Sequence, residues 1–196
     1  MRYQKYAREY LSRSAREALV HGYSRIVEEH INDGLEPYYM NFMFHNIHSN
    51  PKGRMEVMAA EVERVHRSLM MRIVRYPRKV KCAHLRPIFI GAHDLPVWKK
   101  DKSTGQQEVV NGGLHFNVVA LVPPSYSQKP KGFRPDYQSR LHESLEEHIA
   151  LHSRHYLNEV LARIHVTPIR KGTMIDYTLK TLKSGLVSMD SVQIWN

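Results

Sequence analysis

The chain has 196 residues, 42% hydrophobic and 24% charged, long enough to bury a core and too apolar for a disordered or fibrous protein. No stretch approaches the roughly 18 to 20 continuous apolar residues of a membrane span, and "MRYQKYAREYLSRSAREALV" at the start lacks the apolar run of a signal peptide. One cysteine, Cys82, excludes an internal disulfide and suits a reducing compartment, so a cytoplasmic protein with no membrane partner is expected. Twenty-nine Lys and Arg against 19 Asp and Glu give a net charge of +10 and a pI near 9.7. That balance favours a polyanionic partner, nucleic acid first.

No internal repeat or low-complexity linker interrupts the chain. From Tyr10 to Asn32, residues Leu11, Ala15, Ala18, Leu19, Tyr23, Ile26 and Val27 recur at helical spacing, and "NDG" supplies a stop. Residues 1–34 therefore read as an N-terminal helical extension ahead of one unit, 35–196. "PYYMNFMFHNI" (Pro37 to Ile47) has strand length and aromatic content, and "HSNPKGR" ends it as a turn. Met55 to Tyr76 is helical again, with Val57, Met58, Val62, Val65, Leu69 and Ile73 in one stripe before Pro77.

Leu85 to Trp98 reads as a second strand and Leu114 to Val122 as a third, joined by the polar loop "KKDKSTGQQEVVNGG" into an antiparallel hairpin. A Pro-rich basic connection leads to a long helix, Leu141 to Ala162, with Leu145, Ile149, Tyr156, Val160 and Leu161 on its apolar side. "RIHVTPI" (Arg163 to Ile169) is a short strand, "RKG" a turn, and Met174 to Lys183 a last helix stopped by Gly185. The order α-β-α-β-β-α-β-α predicts an α+β fold, with a central antiparallel sheet of four to five strands covered by helices.

The stretch "NGGLHFNVVAL" (111–121) sets two polar side chains, His115 and Asn117, into an otherwise apolar strand. Alternation places both on one face, about 7 Å apart. Antiparallel pairing brings His93 or Asp94 of the preceding strand opposite them. Imidazole nitrogen, amide oxygen and carboxylate oxygen together suit Mg²⁺ or Mn²⁺ better than a sulfur-rich zinc site does. Taken alone, such a polar pair is more often structural. Further on, "MIDYTLKTLKSG" puts Tyr177 and Lys180 on one helical face, with Lys183 a turn later. A phenol with its usual pKa near 10 is a weak nucleophile, and a lysine or a metal-held phosphate is what organises it. The ordinary reading of such a tyrosine is a core aromatic flanked by solvated lysines.

"FIGAHDL", "GGLHFNVVAL" and "DYTLKTLKSG", in that order, resemble the motifs of the HUH endonucleases, and within them the rolling-circle replication initiator (Rep) proteins of plasmids and single-stranded DNA phages. The resemblance runs from about Tyr38 to Gly185. It departs from the family at Asn117, where a second histidine is usual. It implies an RRM-related sandwich that nicks and rejoins single-stranded DNA or a DNA hairpin. Tyr177 would attack the scissile phosphate and stay joined to the 5′ end, with Lys180 neutralising phosphate charge. A Mg²⁺ or Mn²⁺ ion would be held by His115, Asn117 and Asp94, with His93 a further ligand or support. Tyr38, Tyr39, Trp98, Lys99, Lys100 and Lys183 would hold the strand by stacking and charge. No ATPase motif accompanies these segments, so unwinding would fall to a host helicase.

Asn117 is a neutral, weaker ligand than histidine, which lowers the expected metal affinity. It leaves open an HUH-fold regulator that recognises an origin or hairpin without cutting it. A third reading is an RNA-binding or mobile-element accessory protein that works through its basic surface.

Overall fold

Alternation along the strands divides the molecule into two unlike faces. The structure is a computed structural model describing residues 11–94, 110–126 and 139–196. In β1 (Glu36–Phe44), Tyr38, Met40, Phe42 and Phe44 are buried, while Tyr39, Asn41 and Met43 turn the other way and stay partly or fully exposed. β1 lies near the middle of a five-stranded antiparallel sheet, ordered β4-β1-β3-β2-β5. The other strands are β2 (Ile88–Asp94), β3 (His115–Val122), β4 (Leu161–Pro168) and β5 (Gln193–Trp195). This is the α+β sheet that the element order predicts.

Helix α2 (Pro51–Ile73) covers the first face with Met58, Val62, Val65, His66, Leu69 and Ile73, all buried at three- and four-residue intervals. Against it stand Phe42, Phe116 and Phe89, fully buried side chains of three neighbouring strands. Gly91 of β2 lies beneath the Phe116 ring. A Cβ there would sit 2.5 Å from the Asn117 carbonyl oxygen and 2.8 Å from Phe116, so only glycine allows this approach. Helix α3 (Leu145–Leu151) closes the same face over β4, opened by a capping box between Ser144 and Glu147.

The second face is only half covered. α1 (Arg13–Asn32) lies against two single-turn helices, α5 (Ile175–Thr178) and α6 (Lys180–Lys183), which sit over β3 and β2. Arg16 ties α1 to the end of α6 through the Lys183 carbonyl at 3.2 Å. Thr181 hooks α6 to the sheet by donating to the His93 carbonyl at 2.8 Å. The β1–β4 half carries Met43 beside Arg163, Asn41 beside His165 and Tyr39 beside Thr167, and among these Met43, Arg163, His165 and Thr167 are exposed.

Five expectations shift. α2 begins at Pro51, inside the stretch read as a turn: Asn50 accepts from the Gly53 amide at 2.8 Å and Pro51 takes the first helical position, which needs no amide. Val57, counted on the apolar stripe, is exposed, and His66 is buried in its stead. The long helix Leu141 to Ala162 is instead α3, α4 (Ser153–Tyr156) and the start of β4. His152 breaks it at φ −110°, ψ 23°, and the Asn158 carboxamide then accepts from the amides of Val160 and Leu161 at 2.9 and 2.7 Å, launching the strand early. The last helix is likewise divided, at Leu179 (φ −102°, ψ 23°). β2 is shorter than Leu85 to Trp98 at its start: Pro87 cannot enter the ladder, and its carbonyl pairs with His66 instead.

Candidate active site

Each strand register that sets the site follows from pairing β3 between β1 and β2. Asp94 lies directly opposite His115, and Asn117 lies between Asn41 and Ala92. All project from the half-covered face. At its centre is the Asp94 carboxylate, 1% exposed. Its Oδ2 receives the Lys180 ammonium at 2.6 Å, His115 Nε2 at 2.9 Å and the Asn117 amide nitrogen at 2.9 Å. Its Oδ1 is buried and has no hydrogen-bond partner among the described residues.

The "NGG" ahead of β3 positions the imidazole. Asn111, Gly112 and Gly113 all have positive φ (53°, 64° and 80°), a left-handed run in which two glycines carry no Cβ penalty. The buried Asn111 side chain accepts from the Ile47 amide and donates to the His45 carbonyl, each at 2.8 Å, so the turn is pinned to the end of β1. The Gly113 carbonyl then takes the proton of His115 Nδ1 at 3.0 Å. That bond leaves Nε2 as the nitrogen facing Asp94, the arrangement by which a backbone carbonyl orients a functional histidine.

The charges reinforce one another. Burial opposes ionisation of Asp94, but hydrogen bonds from His115 and Lys180, and their charges, hold its carboxyl below the usual range. Burial likewise opposes protonation of His115, yet the bond to Asp94, the Gly113 carbonyl and the Asp94 charge leave its pKa raised. The buried carboxylate thus stays ionised beneath the Lys180 ammonium and the His115 ring.

Tyr177 stands at the open side of the cluster, 47% exposed. Lys180 Nζ lies 4.7 Å from its ring centre, and the Tyr39 ring meets it edge-on at 5.5 Å. Tyr39 donates its hydroxyl to Asn117 Oδ1 at 2.7 Å, where the Asn41 amide also donates at 2.7 Å. Burial, with the nearby Tyr177 hydroxyl and Asp94 charge, pushes the Tyr39 phenol up, so it stays neutral and donating.

Asp94, His115, Asn117, Tyr39, Tyr177 and Lys180 thus meet in one place. His93 does not join them. It projects to the α2 face, bonded through Nε2 to the Met55 carbonyl at 2.8 Å and edge-on to Phe116. Tyr38, expected beside Tyr39 among strand-binding aromatics, is buried on that same face, its hydroxyl donated to Glu36 at 3.1 Å. Lys183 is exposed and paired with Asp176 at 2.7 Å. Trp98, Lys99 and Lys100 lie outside the described residues. Asn41 and Asn111 were not anticipated, although Asn41 repeats in β1 the polar-in-apolar signal that marks Asn117.

The donor set fits a divalent ion at two positions: Asp94 presents a carboxylate oxygen without a partner among the described residues, and His115 an Nε2 oriented by the Gly113 bond. Asn117 turns its nitrogen, not its oxygen, toward them. A second group of metal-ligand type lies elsewhere, where Glu143, His148 and His152 bring one ligand atom each within 4.8 Å of one another. No helix among the described residues is long and apolar enough to cross a membrane. No family model, curated protein or solved structure matches this chain.

Proposed function

We propose that the protein nicks and rejoins single-stranded DNA through Tyr177, in the manner of the Rep-type HUH endonucleases that its motifs resemble. The supporting observation is the convergence of Asp94, His115, Asn117, Tyr177 and Lys180, from three separate stretches of sequence, on one half-open face of a sheet. Tyr177 is the exposed member, as a nucleophile must be to meet a phosphodiester. Its oxygen forms the bond to phosphorus, and the P–O3′ bond breaks. The phenolic proton passes to solvent and the departing 3′ oxygen takes one up, leaving a 5′-phosphotyrosine. Attack by a 3′ hydroxyl reverses the step and rejoins the strand.

Lys180 lies between Asp94 and Tyr177, where its ammonium neutralises a phosphate delivered to the phenol. His115 and Asp94 are the residues that would hold Mg²⁺ or Mn²⁺, which would polarise a non-bridging phosphate oxygen when bound, while Asn117 steadies the Asp94 carboxylate through its amide nitrogen. Tyr39, with the exposed His165 and Arg163 farther along the same face opposite Asn41 and Met43, offers a stacking and charged floor for the strand.

The test is covalent capture. Labelled single-stranded oligonucleotides from a randomised hairpin library are incubated with the protein and Mn²⁺, and the adduct is mapped by peptide mass. The expected product is a nucleotide on Tyr177, absent from Tyr177→Phe, which still binds the library. Equal cleavage by both proteins would remove Tyr177 from the role. A second reading, a regulator that binds without cutting, draws on the Asn117 nitrogen facing Asp94 and on the lysine already paired there. Tight binding with no adduct in Mn²⁺ would establish it.

A further inference from the structure

Across the sheet from Tyr177, where α3 gives way to α4, the geometry points to a second metal centre: a zinc-class site built from Glu143, His148 and His152. The atoms are Glu143 Oε1, His148 Nδ1 and His152 Nε2. Oε1 lies 2.5 Å from Nδ1 and 3.4 Å from Nε2, and all three fall within 4.8 Å of one another. A tetrahedral ion with bonds of about 2.0 to 2.1 Å keeps its ligand atoms about 3.3 Å apart. Small side-chain rotations bring the three to that spacing.

The helix arranges the pair. His148 and His152 are four residues apart, so their rings stand on one face, 4.7 Å between centres. Glu143 reaches them from the turn just before the Ser144 cap. His148 is buried and its other nitrogen, Nε2, lies 2.8 Å from the hydroxyl of the fully buried Tyr156. This matches the outer hydrogen bond that orients a metal-bound histidine and leaves Nδ1 free to ligate. At 2.5 Å, Nδ1 and the Glu143 carboxylate share a hydrogen, which an ion entering between them would displace as the two atoms part.

Two imidazoles and one carboxylate select Zn²⁺ and its neighbours over Mg²⁺ or Ca²⁺, and leave a fourth position for water. His152 is the residue at which the helix breaks, so an ion here would brace the α3–α4 corner on the face remote from Asp94.

Chelator-stripped protein titrated with Co²⁺ and then Zn²⁺ decides the matter. One Co²⁺ is expected to give the visible bands of a four- or five-coordinate site, discharged by Zn²⁺. At 100-fold excess over Kd, Zn²⁺ should raise Tm by about 5 to 10 °C. His152→Ala and Glu143→Gln lie at partly exposed positions and should fold. Each should weaken Co²⁺ binding at least about tenfold, whereas His115→Ala on the other face leaves the bands intact. The site is refuted if both variants bind as the native protein does, if His115→Ala alone abolishes the bands, or if no Co²⁺ binds at micromolar concentration.

Discussion

Neighbouring residues of β3 live in different worlds. Phe116 is wholly buried under α2, against His93 and Trp195. His115, one step back, sits in a charged pocket under α6. The same division separates Tyr38 from Tyr39 and His93 from Asp94. One face of the sheet is built for cohesion and the other for charge, and period-two alternation lets one strand serve both. Removing a side chain from either face should therefore register in different measurements. Phe116→Ala is expected to cost about 3 to 5 kcal/mol of unfolding free energy, because the ring is enclosed on every side and leaves a cavity. His115→Ala should cost about 1 to 2 kcal/mol, the loss of hydrogen bonds at a partly exposed site, while sharply reducing any nicking. Urea unfolding of the two variants compares the faces directly. Equal losses would erase the distinction.

Acid separates the faces next. His93 is enclosed, and burial pushes its pKa down to about 4, against the pull of the Met55 carbonyl. Burial also lowers His66 on the same face. Between about pH 6.5 and 4 the unfolded chain binds a proton at position 93 that the folded chain refuses. Stability therefore falls as pH falls through this window, by about 3 kcal/mol at about 1.4 kcal/mol per pH unit. His115 has the opposite sign: its raised pKa stabilises the fold below 6.5, and that contribution is lost as pH rises through the folded value. Thermal midpoints from pH 7 to 4 should show a shallower acid limb in His93→Gln. A slope identical to that of the native chain would mean that His93 is not the group refusing the proton.

Gly91 tests how tightly the cohesive face is closed. A methyl there must displace the Asn117 carbonyl and the Phe116 ring, which are backbone and a core aromatic rather than flexible tips. Gly91→Ala should cost about 1 to 3 kcal/mol. It should also disturb the opposite face, since Asn117 carries the amide that bonds Asp94. A variant as stable as the native chain would show that the strands part more easily than the packing implies.

How much of this was legible in the sequence depends on what each signal measures. The strands were readable because β1 and β3 alternate or run apolar over strand length, and His115 and Asn117 stood out as polar residues in apolar company. The long helix at 141–162 was not readable as two turns and a strand. Leu145, Ile149, Tyr156 and Leu161 are all buried, so their spacing reported burial truthfully while saying nothing about continuity. The breaks come from the backbone angles at His152 and from the Asn158 side chain, local events that periodicity averages away. β5 is three residues long and, among the described residues, pairs only with β2, too short to leave a period. Alternation alone left either His93 or Asp94 opposite His115, the resemblance of "FIGAHDL" favoured Asp94, and the register sets Asp94 there. Glu143, His148 and His152 passed unnoticed among thirteen histidines, although a four-residue His spacing was the available clue.

Lys180 and Lys183 carry the comparison to its smallest effect. Three residues apart on α6, the first turns inward to a buried carboxylate and the second stays in solvent against Asp176. An exposed pair is screened and spends side-chain entropy to form, so Lys183→Ala should change stability by no more than about 0.5 kcal/mol. On the proposed single-stranded DNA ligand its effect should be electrostatic only: a slightly weaker affinity for every oligonucleotide alike, and a salt dependence shallower by less than about one charge. Lys180→Ala differs in kind, since it strips a counter-charge from Asp94 and the cation from beside Tyr177. Binding isotherms at several salt concentrations, with adduct yields from the same samples, separate the two lysines. If Lys183→Ala lowers adduct yield as far as Lys180→Ala does, the inward turn of Lys180 confers no special role, and the charged face acts as a diffuse basic surface.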